Sequence, residues 1–331
     1  MSNECQERLA QEKRRFDAEV CVHNLPDIFH YWSNNHLKPF INDQGYDSLD
    51  DFFVREISHV APADGSTIRI ASVGCGDCAV EAGIARLIEA GGIANFHFTC
   101  VDLSDGALTR AEAALAGGAL QGRFSFVVAD FNKGLPDGPF DVVMANQSLH
   151  HVMELESLFQ SIRDQLSSTG RFVVSDIIGR NGHQRWPEAR ELVDEAWQWL
   201  PMRYRYNWQL QRQEEQFLDW DCSQEGCEGI RAEDVLPLLL EYFSPRVFIA
   251  WGNIIDIFID RCFGHNFRQQ NEWDLHFIDR IQAIDSAAVA SGRIKPTHML
   301  ASFGRDPGVC IHADGMSPNQ ALRAKAPING A

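Results

Sequence analysis

The chain has 331 residues, enough for two average domains or for one α/β domain with insertions. Its 45% apolar and 23% charged residues exclude a disordered or fibrous chain. A net charge of −17 disfavours a long nucleic acid as partner, because the densest basic group, Lys13-Arg14-Arg15, amounts to one helical turn.

Residues 1–20 carry a helix-like charged pattern, followed by an aromatic, His-rich stretch that includes Phe29-His30-Tyr31-Trp32 and His36. After the turn-rich Ala61-Pro62-Ala63-Asp64-Gly65-Ser66 the period changes. Ile68 to Val73 reads as a buried strand ending at Gly74-Cys75-Gly76, and Val80, Ile84, Leu87 and Ile88 mark one helical face. Phe96 to Val101 predicts a second strand, and Ser104 suits the N-cap of a helix carrying Leu108, Ala111 and Leu115. Strands follow at Phe124–Ala129, Phe140–Ala145 and Arg171–Ile178, with the helical stripe Leu155, Leu158, Phe159, Ile162 and Leu166 before the last of these. Beyond residue 180 the alternation breaks. Helices are expected around 189–200, 235–242 and 277–284, and two more strands at Arg246–Trp251 and His298–Phe303. From Asp306 the Gly/Pro/Ala-rich end reads as a flexible tail.

Alternating strands and helices predict a doubly wound, mostly parallel sheet covered on both faces, with ligands bound beyond the carboxyl ends of the strands. Those ends carry Gly74, Asp102, Asp130, Asn146 and Asp176. A Gly-x-Gly turn lets backbone approach a ligand and opens a helix N-terminus to an anion. Asp102, 28 residues after Gly74, suits a ribose diol, and Asp130, 28 further on, suits an amino group on a heterocycle. An anion site, a diol site and an amine site in a row describe an amino-acid nucleoside.

At these residues the chain resembles the class I, seven-stranded Rossmann-like methyltransferases that use S-adenosyl-L-methionine, in their small-molecule branch. Val73-Gly74-Cys75-Gly76 looks like the glycine loop and Val101-Asp102-Leu103-Ser104 like the ribose-binding strand end. Ala129-Asp130-Phe131 is similar to the adenine-contacting segment, and Phe140 to Asn146 to the fourth strand. Ser148-Leu149-His150-His151-Val152 and Gly170-Arg171-Phe172-Val173-Val174 continue the likeness, which spans about Ile68 to Ile178. It implies cofactor contacts at Gly74, Cys75, Gly76, Asp77, Asp102, Leu103, Asp130, Phe131 and Asn146. Tyr31 joins them if the aromatic run closes over the pocket as a lid. Ser72 stands where the family often has an acid facing the cofactor's ammonium group; Asp77 or Glu81 is expected to replace it.

The implied organisation is an N-terminal helical lid over 1–60 and a methyltransferase domain over 61–305. Helical insertions fall at about 181–243 and 253–293, and the tail covers 306–331. Methyl transfer from a sulfonium needs an in-line nucleophile and, for a hydroxyl, a base; His150 and His151 follow the fourth strand and suit that role. His183, Arg185 and His265 are expected on the acceptor side. Asn146-Gln147-Ser148-Leu149 replaces the Asn/Asp-Pro-Pro-aromatic segment of base-methylating relatives, which with the acidity favours O-methylation of a small molecule. The alternatives are a protein or carbohydrate acceptor, a scaffold that binds the cofactor without catalysis, or a nicotinamide enzyme; the last lacks a Tyr-x-x-x-Lys pair.

No metal is expected. Cys75-x-x-Cys78 has no second pair, and Cys222 and Cys227 have too few histidines nearby. No stretch approaches the roughly 20 apolar residues of a membrane span, and Met1-Ser2-Asn3-Glu4 is not the basic start of a secretory signal. The nine cysteines therefore read as reduced thiols in a cytoplasmic protein that touches neither nucleic acid nor membrane. Nothing in the sequence sets the oligomeric state.

Overall fold

The computed structural model describes residues 3–18, 25–224, 226–313 and 315–323. Its centre is a sheet built from β1 (Ile68–Val73), β2 (Phe96–Asp102), β3 (Phe124–Val128), β4 (Phe140–Asn146) and β5 (Leu166–Ile177), all parallel to one another. A two-residue hairpin, β6 (Tyr206–Asn207) and β7 (Arg212–Gln213), lies outside it. The sheet then continues with β8 (Ser244–Trp251), β9 (His298–Gly304) and β10 (Ile311–His312), in the order β10-β8-β9-β5-β4-β1-β2-β3. Only β9 runs antiparallel; it sits between β5 and β8 and pairs with both.

The sheet thus has eight strands where seven were expected. The eighth is short and comes from the segment read as a flexible tail. Ile311 and His312 pair with Val247 and Phe248 on the open edge of β8, satisfying backbone groups that an edge strand leaves unpaired. A short helix after it, capped by Ser317, buries Ala321 against the sheet face.

The helices are α1 (Asn3–Ala18), α2 (Asp27–Trp32), α3 (Lys38–Asp43), α4 (Leu49–His59), α5 (Ala79–Ala90) and α6 (Asp105–Leu115). They are followed by α7 (Leu155–Gln165), α8 (Pro187–Trp199), α9 (Ala232–Tyr242), α10 (Asp256–Ile259), α11 (Glu272–Ala290) and α12 (Pro318–Ala321). Their starts obey local chemistry: Pro187 occupies the first turn of α8, and the Ser104 hydroxyl accepts the Ala107 amide at 3.0 Å. None of the described helices is long and apolar enough to cross a membrane.

The helices pack through apolar side chains against the sheet and one another. Ile84, Ala85 and Ile88 of α5, Phe53 and Ile57 of α4 and Leu108 of α6 cover one side of the sheet. Leu158, Phe159 and Ile162 of α7 with Val235 and Leu239 of α9 cover the other. A third core joins Ile28 and Trp32 of α2 to α8, α10 and α11. The aromatic run expected as a lid is therefore part of this helical core, because its apolar side chains find a matching surface on α11.

Phe172 lies fully buried at the centre of the second core, 5.3 Å from Phe243, 6.0 Å from Phe159 and 6.5 Å from Phe303, centroid to centroid. Phe172→Ala should cost about 3–5 kcal/mol in urea unfolding. A loss below 1 kcal/mol would contradict this packing.

Candidate active site

At the end of β1 the chain must turn sharply to start α5. Gly74 does so at φ +67°, and a Cβ there would sit 2.5 Å from Ser148 Cβ, a contact only glycine avoids. Ser148 cannot yield, since its hydroxyl donates to the Val73 carbonyl at 2.7 Å and its amide to Asp176 at 2.9 Å. Gly76, at φ +55°, has nothing within 4 Å of its would-be Cβ, so open space borders the turn there. The Phe131 ring borders it from the other side, 3.8 Å from the same would-be Cβ on Gly74.

Asp102, at the end of β2, lies beside this turn. Its Oδ2 accepts the Gly76 amide and its Oδ1 the Ser104 amide, both at 2.8 Å. Burial raises its pKa, with the two amides opposing. Each oxygen keeps a second lone pair for a diol. Leu103 follows, half-buried. Asp130 closes a short turn after β3, accepting from the amide of Asn132 at 3.1 Å, and Asn146 ends β4 half-buried. The strand-end residues do come together as one edge of the sheet.

Asp77 is exposed and accepts the Ala79 amide. Glu81 instead is 2% exposed on the first turn of α5, and Ser72 Oγ donates to its Oε1 at 2.7 Å. Its other oxygen is buried without a partner. Burial pushes its pKa up to about 8. The helix thus brings the carboxyl group of Glu81 against the side chain of Ser72.

Past β4, Asp176 organises a buried polar cluster. It is wholly buried and accepts the amides of Ser148 and Leu149, while His150 Nδ1 lies 2.6 Å from its Oδ1. His150 Nε2 is 3.4 Å from Glu228, and His183 Nε2 is 2.8 Å from the same oxygen. The His151 ring lies 4.3 Å from that of His150 and is tilted by 38° to it, with Nδ1 2.7 Å from Glu12 Oε1 and Nε2 4.0 Å from Glu228 Oε2. Burial alone would lower the pKa of His150, but Asp176 and Glu228 outweigh it and raise it to about 10. His150 is therefore held as an imidazolium and is no base at neutral pH, a correction to the role expected for it.

Glu228 titrates well below the ordinary carboxylate range: burial opposes this, but the surrounding histidines, His151 first among them, prevail. A carboxylate only accepts hydrogen bonds, so His183 must present its Nε2 proton to Glu228. Burial lowers the pKa of His183, leaving it neutral with a bare Nδ1 that is buried and unpartnered.

The helix α1 crosses this edge. Arg8 donates to the Gly226 carbonyl, Glu12 accepts the Cys227 amide, and Asp17 accepts from the Ser104 hydroxyl at 2.7 Å. Three expected residues lie elsewhere or serve otherwise. Tyr31 donates to Asp279 of α11 at 3.0 Å, committed to the helical core. His265 is exposed, edge-on to Trp208. Arg185, 6% exposed, is a framework cation that donates to the His183 carbonyl and reaches Asp256 at 3.4 Å. Glu12 and Glu228 escaped sequence reading because no motif surrounds either; Asp176 was visible as a strand-end acid.

The Asp176–His150 pair gives a pH signature. The folded pKa of His150 is above the unfolded value of about 6.5, so its contribution is full below that pH and is lost as pH rises through about 10. Asp176→Asn should cost about 3–5 kcal/mol at neutral pH, as expected for breaking a buried pair. Urea titrations should show that difference shrinking toward pH 10; a pH-independent difference would refute the assignment.

Residues 71–174 match a family model described as a methyltransferase domain. Over 177 residues, 48% of this chain, the sequence is 23% identical to highly reducing polyketide synthase 2 of Gibberella zeae, of which the match spans only 7%. Solved structures of similar fold include an S-adenosylmethionine dependent methyltransferase from Mesorhizobium loti, at 16% identity and a TM-score of 0.44, covering 78% of this chain and 98% of that one. Another is geranyl diphosphate C-methyltransferase from Streptomyces coelicolor, at 10% identity and a TM-score of 0.49, covering 90% and 98%. Over residues 71–174, then, the chain carries a methyltransferase domain.

Proposed function

We propose that the chain methylates a small-molecule acceptor on oxygen, with His183 as general base oriented by Glu228. The observation that carries this is the 2.8 Å contact between them, which leaves His183 Nδ1 without a partner, in a ring 5.2 Å from that of His150. The cofactor in this reading is S-adenosylmethionine, which when bound supplies an electrophilic methyl group on a sulfonium.

The open side of Gly76 and the turn from Gly74 through Asp77 would receive the amino-acid end of the cofactor. Asp102 with Leu103 would hold the ribose, Asp130 and Phe131 the adenine, and Asn146 the rim of the pocket. Because transfer neutralises the sulfonium charge, the chain has to orient the nucleophile and take its proton. Orientation accounts for roughly 7–11 kcal/mol of such barriers, and a positioned base for about 10²–10⁴-fold in rate. Neutral His183 accepts the hydroxyl proton at Nδ1, and anionic Glu228 stabilises the imidazolium that forms. His151, on the other Glu228 oxygen, lies near enough to Asp102 to influence its titration, which ties the base cluster to the cofactor edge.

The arch of α1 over the strand ends and the charge of −17 both favour a small acceptor over a macromolecular surface. Free thiols at Cys75, Cys78 and Cys100 suit a reducing, cytoplasmic setting. The polyketide synthase match favours a second reading, in which the acceptor is a carbon next to a carbonyl; the same base would remove its proton.

Labelled methyl donor incubated with the chain and a metabolite pool should mark small molecules by mass spectrometry. Label on peptides alone would overturn the proposal. His183→Ala and Glu228→Gln should each lower kcat by about 10²–10⁴-fold with cofactor affinity unchanged. In the cofactor half, Glu81→Ala should weaken cofactor binding more than Asp77→Ala, read by isothermal titration. Equal affinities in both variants and the parent would exclude either acid from contacting the ammonium group.

A further inference from the structure

We propose that Cys75, Cys78 and Cys100 form a binding site for a thiophilic divalent metal ion beneath the glycine turn. The turn itself brings two of them together. The Cys78 amide donates to the Cys75 carbonyl at 2.9 Å, closing a four-residue turn in which Gly76 and Cys78 both adopt positive φ, +55° and +57°. A left-handed cysteine is unusual, and here it opens α5. The third thiol comes from the neighbouring strand, where Cys100 of β2 lies opposite Ser72 of β1.

All three sulfurs lie within 4.8 Å of one another. The side chains are 9%, 1% and 0% exposed, and all are free thiols. Zinc–sulfur bonds of about 2.3 Å in a tetrahedral site place sulfurs about 3.8 Å apart, inside that spread.

Binding forms three metal–sulfur bonds, releases to buffer the proton each thiol loses as it becomes a thiolate, and leaves every sulfur in its original oxidation state.

The test uses the full, reduced chain and Cd2+ as probe. One Cd2+ per chain should produce the near-ultraviolet sulfur-to-cadmium charge-transfer band, raise the melting temperature, and be displaced by excess Zn2+. Cys100→Ala should weaken Cd2+ binding by about a hundredfold and reduce the band, whereas Cys310→Ser should leave both unchanged. Should Cys100→Ala fail to fold, Cys75→Ser, at the least buried of the three positions, should give the same loss. Parent-like Cd2+ binding in the folded Cys75 and Cys100 variants would overturn the proposal. So would the absence of the band in the parent chain, or a Cys75–Cys78 disulfide in the chain as isolated.

Discussion

One buried carboxylate holds the working edge of this sheet in shape. Asp176 has no access to solvent, and its charge is met by two backbone amides from the turn after β4 and by the His150 ring. A charge in that position is tolerated only because it is fully bonded. The consequence reaches the cofactor side: the Ser148 amide held by Asp176 fixes the side chain that buttresses Gly74. The shape of the glycine turn and the protonation of His150 therefore have a common origin.

From there the charges alternate outward. His150, positive, lies between Asp176 and Glu228; Glu228, negative, faces His183 and His151; His151 meets Glu12. Alternation lets two histidines in one cluster behave differently. His150, between Asp176 and Glu228, stays protonated. His183, with Glu228 on one side and no partner on its second nitrogen, stays neutral. The division of labour is electrostatic.

Most of the sheet was legible because its strands are continuous apolar runs that end in Gly, Asp or Asn, and its helices carry stripes at 3.6-residue spacing. The capping role of Ser104 was equally readable, being a local property. Less legible were side chains whose partner is distant in sequence. Tyr31 looks like a lid residue until Asp279, 248 positions away, claims its hydroxyl. Arg185 looks like a substrate ligand until Asp256 is seen beside it. The end of the chain looks mobile by composition, yet an open strand edge gives Ile311 and His312 their partners.

What the sequence by itself determined is the order of strands and helices and the row of polar residues at the strand ends, since both follow from local periodicity and turn chemistry. What only the tertiary structure decided is which groups meet. Glu228 and Glu12 join the histidines from a loop and a terminal helix, and Cys100 joins Cys75 and Cys78 across two strands. The physical reason is that a pKa or a ligand set depends on distances of a few ångströms between side chains, and the distance between residues far apart in sequence is set by packing alone.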